Sequence, residues 1–487
     1  MRPLIIIFLL ITAQFFVIAD EQNNPSADRL KEISYIDEGF VPDEEVKPSE
    51  VSFNLGGTIS FSSRIKFKDF EILPTGGFRP IPNEFWYGDA RIKLWADISL
   101  LNGSYLHIGG TALLKAQDLN NEVNLIPLFN LDSLYGHIVY PLGSVVVGRS
   151  IYRMNSSLVF SGPLDGIELN IVVPYLNFKT FTGFTGLLGL LHPWFNPYLV
   201  SSADRSFVEV SNILTSGISF KINAPQSRRI FFAIDADINF YSQHINPYFL
   251  LQYDLQSIFQ SMNTEYDINT FHLGLNLEGK IIQNLSYKVH LSGVFGTNPT
   301  SSGTVGAIVA CAFETYLRYT IPHSFNTTLQ IGYAIGTGNE EGIGEWSSDS
   351  EDADKGFWSD KYDGAQNNKY FYFGRFDGGY VLNPVLSNIH SLSFRFSINP
   401  LKNSTTNISF YAAFYQTFKV FNTGSISDDE ATVDEYPVAS EIDTGLLVST
   451  HFFTLSLDAG IMIPLTAYRA DDRNPRTRLG AVIAFTF

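Results

Sequence analysis

Along most of the chain, apolar and polar residues alternate one for one. From Arg91 to Ser99, Ile92, Leu94, Ala96 and Ile98 take one side, and Arg91, Lys93, Trp95, Asp97 and Ser99 take the other. The same rhythm carries Leu285, Tyr287, Val289 and Leu291 against Ser286, Lys288, His290 and Ser292, and Leu392, Phe394, Phe396 and Ile398 against Ser391, Ser393, Arg395 and Ser397. It recurs at Leu273–Leu277 and Phe453–Ile461. A period of two belongs to a β-strand, whose successive side chains point to opposite faces. The pattern runs from about residue 50 to Phe487 and predicts an all-β chain. A membrane-spanning strand needs about 9–11 such residues. The separable segments predict a single-chain transmembrane antiparallel β-barrel of about 18 strands, with 16 as the alternative count. A soluble sandwich would alternate in the same way around a dry core. Tyrosine and phenylalanine near the strand ends fit the aromatic girdles of a barrel better.

Two segments lie outside this pattern. The opening MRPLIIIFLLITAQFFVIA has a positive start, an apolar stretch and a small-residue ending, which is the layout of a secretory signal peptide over residues 1–19. Residues 20–49 are polar, acidic and punctuated by Pro25, Pro42 and Pro48, and are expected to form a periplasmic arm or a small plug before a barrel over 50–487. No later stretch can form a membrane helix, because the longest apolar run, Val305–Phe313, is about half the length a span requires.

Composition sharpens this picture. Only 17% of the 487 residues are charged, against about 25% in ordinary soluble domains, while 14% are aromatic. A net charge of −17 argues against a nucleic-acid partner, which demands a basic footprint. Cys311 is the sole cysteine, so disulfide frameworks and thiolate metal sites are excluded. The acids gather in the N-terminal arm, in 339–363 and in 428–441, the last two being expected surface loops. The strands are richer in cations. Arg91, Lys93, Arg149, Arg153, Lys288, Arg318, Arg375 and Arg395 are the candidate pore-lining residues, with Lys221, Lys419 and Arg478 also on lumenal positions. Asp97, Asp235, Asp237, Glu278, Glu314 and Asp458 oppose them. A positive excess biases a pore toward anions; the competing reading is that Arg–Asp pairs simply brace the inner wall.

Little points to catalysis, and no cofactor is implied. The histidines are scattered, with no metalloprotease helix motif and no Gly-x-Ser-x-Gly elbow. His390 and Ser391 are neighbours on a strand and so face opposite sides. Asp235 and Asp237 share a face, as lumenal charge rather than an acid/base pair. Asp349, Glu351, Asp352 and Asp354 lack the turn glycine and distal glutamate of a calcium loop, and solvated loop charge explains them better.

The chain ends on Leu479, Ala481, Ile483, Phe485 and Phe487, in alternation. This resembles the terminal-strand signature of bacterial outer-membrane proteins, which implies barrel-assembly machinery as a partner through Phe487 and outer-membrane lipid as the surroundings. Val145–Gly166 reads VVVGRSIYRMNSSLVFSGPLDG. Gly148, Arg149, Asp165 and Gly166 resemble the alginate-export porin family, in which Gly-Arg-Gln on a strand is followed by a loop and Asp-Gly; Ser150 departs from the glutamine. The strand Tyr333–Thr337, a long loop with Phe357, Trp358, Tyr362 and Gly364, and a return at Phe373-Gly374-Arg375 are similar to the same family. The resemblance implies an 18-stranded porin passing small anions or an anionic polysaccharide, with Arg149 as a lumenal cation. Two alternatives stand beside this channel: a fatty-acid-transport-like barrel, favoured by the greasy segment Phe181–Val200, and a surface adhesin with acidic loops.

Overall fold

The computed structural model describes residues 52–67, 70–72, 78–80, 85–100, 103–119, 122–155, 158–185, 229–255, 269–299, 305–322, 325–338, 372–373, 376–402, 406–423, 426, 428 and 430–487. The expected signal peptide and acidic arm, the calcium-loop candidates, Lys221, Arg375 and most of Phe181–Val200 lie outside them.

The described chain is strand after strand. In order they are β1 (Ser52–Phe67), β2 (Phe70–Ile72), β3 (Phe78–Pro80), β4 (Phe85–Ser99), β5 (Tyr105–Leu119), β6 (Glu122–Tyr140), β7 (Gly143–Arg153), β8 (Ser161–Val173), β9 (Leu176–Phe184) and β10 (Arg229–Phe240). Then follow β11 (Gln243–Asp254), β12 (Asn269–Ile282), β13 (Leu285–Pro299), β14 (Val305–Thr320), β15 (Thr328–Gly336), β16 (Ile389–Lys402), β17 (Thr406–Lys419), β18 (Pro437–Thr450), β19 (Phe453–Pro464) and β20 (Arg476–Thr486). The pair β2–β3 is a small separate hairpin; the others form one 18-stranded sheet. Each barrel strand pairs antiparallel with the next, β4 pairs with β1, and β20 pairs with β1 over Thr58↔Thr486 to Phe67↔Thr477. Gly57 and Phe487 exchange backbone bonds of 3.0 and 3.1 Å at the seam. The ring is therefore closed, and 18 rather than 16 is the strand number.

Closure follows from the sequence pattern. An open edge would leave a row of unpaired amides and carbonyls that hydrocarbon cannot satisfy. The apolar half of the alternation points outward: Phe53, Leu55, Ile92, Leu94, Ile98, Leu106, Ile108, Ile331 and Leu479 are all exposed. Aromatic rings make a chain across the outside of neighbouring strands, Phe232–Phe249–Phe271–Phe295, with centroids 6.4, 6.4 and 5.2 Å apart. His390 joins such a chain between Tyr333 and Phe418, while Ser391 is buried on the inside near Thr417, as alternation requires. Cys311 is exposed on the outer face.

Connections are short at one rim, as at β8–β9, β10–β11, β12–β13 and β18–β19, and longer at the other except for β5–β6. Short turns mark the periplasmic rim of an outer-membrane barrel and long loops the external one.

Candidate functional site: an asymmetric lumen

Two connections turn inward from the long-loop rim. Between β7 and β8, Met154, Leu158, Val159 and Phe160 are buried inside the ring. Asn155 N–H donates to Asp235 Oδ2 at 2.6 Å, and Asn246 also donates to that carboxylate. The second is the segment before β16, described at 372–373 and 376–388. Phe373 forms a parallel bridge with Phe160 and packs on Phe231, with His272 beside it. Phe160, Phe181, Phe231 and Phe373 fill the space between as a dry aromatic cluster.

From Phe373, beside β10 and β12, the segment reaches the β18–β20 wall, almost opposite in the ring. There the amide of Tyr380 donates to Asp443 Oδ2 at 2.8 Å, and those of Val381 and Leu382 donate to the two oxygens of Glu441 at 2.5 and 2.9 Å. Arg478 donates to Tyr380 O at 2.8 Å and lies over the Tyr380 ring at 4.6 Å. Gly379 makes the close approach possible: its φ is +126°, and the Glu441 carboxylate occupies the space where a Cβ would stand. The segment is a strap tied across the lumen by two carboxylates. Val381 and Leu386 are buried along it.

The strap divides the inner wall in two. Lumenal positions of β10–β18 are largely buried, among them Phe231, Ala233, Tyr248, Leu250, His272, Ala310, Ala312, Ala334 and Ala413. On the other arc, Thr58, Ser60 and Arg64 of β1, Arg91, Lys93 and Trp95 of β4, Thr111 of β5 and Arg478 of β20 keep intermediate exposure. The less buried side of the lumen thus runs along β20–β1–β4–β5–β6.

The candidate cations separate accordingly. Arg91 and Lys93 stand on the open arc, with Asp89 4.0 Å from Arg91. Register puts Arg91 opposite Ser60 and Lys93 opposite Thr58, while Arg64 lies further along β1 toward the long-loop rim. Lys288 and Arg318 lie near the short-turn rim of the other arc, both over the Tyr316 ring; Arg318 also bonds Gln330 at 3.0 Å. Arg395 reaches the strap through Asp377 at 3.4 Å and lies over Tyr411 at 4.6 Å. Arg153 sits at the long-loop end of β7.

Three expectations are corrected. Arg149 is 1% exposed and clamps Asp165 with two bonds of 2.8 Å, so it braces the wall rather than lining a pore. The register runs unbroken through Gly148, whose φ is +125°, and pairs Arg149 with the outward Leu134, so Arg149 does not belong to the lumenal series of β7. Lys419 is buried, donating to Asn422 O and Val433 O at 3.2 and 2.9 Å. The acidic stretch 428–441 is not all loop, since β18 begins at Pro437 and turns Glu441 inward. Upstream, Asp428 and Glu430 both pair with Arg476. Burial and the neighbouring Asp428 push the Tyr468 phenol well above its usual range, so it stays protonated and donates to Asp428 Oδ2 at 2.9 Å. Arg64, Glu441 and Asp443 are lumenal groups that the sequence reading did not single out. Among the described residues no His/Cys/Asp/Glu group is arranged to hold a metal ion.

Comparison with known proteins agrees with this architecture. Residues 226–423, from just before β10 to just past β17, match the family model for alginate export. The chain is similar to the alginate-export family. The match contains the strand, loop and return around 333–375, whereas Val145–Gly166 falls outside it. In structure the chain is similar to Pseudomonas aeruginosa OpdQ, with 9% identity, a TM-score of 0.51, and coverage of 89% of this chain and 97% of that one. It is also similar to Pseudomonas aeruginosa OccK8 (OprE), with 9% identity, a TM-score of 0.51, and coverage of 90% and 98%. At such identity these likenesses speak to the fold. No curated protein matches the sequence. The closed barrel with its apolar outside and the family match place the protein in a bacterial outer membrane, as a channel.

Proposed function

We propose that the protein passes anionic solutes, small or polymeric, along the β20–β1–β4–β5–β6 arc of the lumen. The observation that carries this reading is the coincidence of two features on one wall. The strap and the aromatic cluster leave that arc open, and its upper part presents Arg64, Arg91, Lys93 and Arg478 in succession. Asp89, Asp97 and Asp132 lie on the same arc, so the track is mixed, with four named cations to three acids. Fixed cations in a narrowed, low-dielectric passage lower the barrier for anions and raise it for cations.

The test is a reversal potential across a planar bilayer under a salt gradient. Wild type is expected to prefer anions. Arg91→Glu with Lys93→Glu should move the reversal potential toward cation preference, whereas Lys288→Glu should move it less. Cation preference in the wild type would reject the proposal. Extended anionic oligosaccharides should block the current from one side if polymers are carried. Fatty-acid uptake without conductance would favour the hydrophobic-substrate alternative. Ligand binding by the external loops without conductance would favour the adhesin.

A further inference from the structure

Three polar residues on adjacent strands of the open arc form a hydrogen-bonded chain. They are Asp97 on β4, His107 on β5 and Ser133 on β6. His107 Nδ1 lies 2.6 Å from Asp97 Oδ1, and His107 Nε2 lies 2.9 Å from Ser133 Oγ. An ionised carboxylate only accepts, so the Nδ1 proton belongs to the Asp97 bond. In the neutral imidazole Nε2 is then the acceptor, and the Ser133 hydroxyl donates to it. This is the arrangement of a serine nucleophile, its general base and the carboxylate that orients the base, which is identified by geometry and not by position in the sequence.

The fold builds the chain with a specific device. Asp97 and His107 are register partners near the β4–β5 turn. Between β5 and β6 the register shifts at Gly109/Gly110, leaving Asp132 as an extra residue before Ser133. Such a bulge re-aims a side chain. Asp132 bonds the lumenal Thr111 hydroxyl, and Ser133 turns to His107. Gly109 faces Ser133; a Cβ there would stand 2.6 Å from Ser133 Oγ, so only glycine leaves the hydroxyl room. Tyr135 stacks on the His107 ring with centroids 4.9 Å apart. On β4, Lys93 and Arg91 follow Asp97 on the same face.

We propose that Ser133, His107 and Asp97 are a nucleophilic site on the channel wall that hydrolyses small acyl esters whose alcohol portion is anionic. Ser133 Oγ attacks the ester carbonyl and passes its proton to His107 Nε2. Collapse breaks the bond between the carbonyl carbon and the alcohol oxygen. His107 returns the proton to the departing alcohol, leaving an acyl-serine. Water, deprotonated by His107, attacks the acyl carbon; the bond to Ser133 Oγ breaks, His107 returns the proton to Oγ, and the carboxylic acid leaves. The net reaction is ester plus water to acid plus alcohol. Lys93 and Arg91 hold the anionic alcohol portion, and Asp97 fixes the imidazole tautomer. Ser133 is 3% exposed, so the acyl group is small and the Tyr135 ring must turn aside to admit it.

The full-length protein in detergent is exposed to a fluorophosphonate, which forms a phosphorus–oxygen bond to an activated serine with loss of fluoride, and in parallel to p-nitrophenyl acetate. Peptide mapping should place the label on Ser133. Ser133→Ala should remove both the label and the hydrolysis while single-channel conductance stays that of the wild type. Asp97→Asn should slow both reactions on the order of 10²–10⁴-fold by presenting the wrong tautomer. Tyr135→Ala should speed labelling. Absence of Ser133 label in both wild type and Tyr135→Ala, or equal hydrolysis by wild type and Ser133→Ala, would overturn the proposal. The conductance measurement tests the anion channel separately, so the two readings fail independently.

Discussion

Arg149 and Arg91 are both strand arginines, yet their surroundings give them opposite work. Arg149 is buried with its carboxylate partner, and Arg91 stands in a wet passage. Removing one member of a buried ion pair leaves an uncompensated charge, at a cost of about 3–5 kcal/mol. Arg149→Ala should therefore lower unfolding stability by that order, measured by urea titration in lipid vesicles. Its reversal potential should remain that of wild type, because the residue does not face the current. Arg91 was legible from alternation alone: Arg91, Lys93, Trp95 and Asp97 keep one face through β4. Arg149 was not, because its register partner is the outward Leu134 and only the ion pair with Asp165 shows where its charge goes. Ser133 was hidden for a different reason, since a bulge puts both Asp132 and Ser133 on the inside. Local irregularities of one residue defeat a period of two, and nothing in the residue types announces them.

At the level of the element, the strap is held by bonds that only the fold could reveal. Its residues carry no period, and its place is set by contacts with strands far away in the chain. Glu441 was read as the end of an acidic loop and Asp443 was not read at all, whereas β18 presents both to backbone amides. Hydrogen bonds to charged groups contribute about 1.5–3 kcal/mol each, and every 1.4 kcal/mol changes an equilibrium about tenfold. Replacing Glu441 by Gln together with Asp443 by Asn should thus shift the strap toward release on the order of tenfold or more. Single-channel recordings should show larger or flickering steps. Val381 packs against Gly460, so Val381→Cys with Gly460→Cys, in a background with Cys311→Ser, offers a tether. Oxidation should restore the small wild-type step and reduction should remove it. A large step that persists after oxidation would mean that the carboxylates act otherwise than by holding the strap.

For the whole molecule, the two faces of the sheet answer to different solvents. Ile331, near the middle of β15, is 60% exposed on the outer face. Ile331→Arg is expected to destabilise the folded barrel by about 2–4 kcal/mol if the site lies at the bilayer midplane, as read by urea titration. Ser60→Arg, on the open inner arc, should cost far less and should strengthen anion preference. The barrel, the outward set and the seam were readable from alternation and the apolar C-terminal strand. How the interior is filled was not, because the aromatic cluster joins Phe160, Phe231 and Phe373 from separate parts of the chain.

The seam between β1 and β20 has a kinetic corollary. The partners Thr58 and Thr486 are separated by most of the polypeptide, so the pairing that completes the circle has the longest sequence separation among the described strand pairs. Its closure entropy must be met before its own bonds give any return. Until then both margins of a growing curved sheet stay unpaired and adhesive. Folding should accordingly end with a slow, concerted zipping of the first strand to the last, and any delay there should appear as aggregation instead of as a leaky pore.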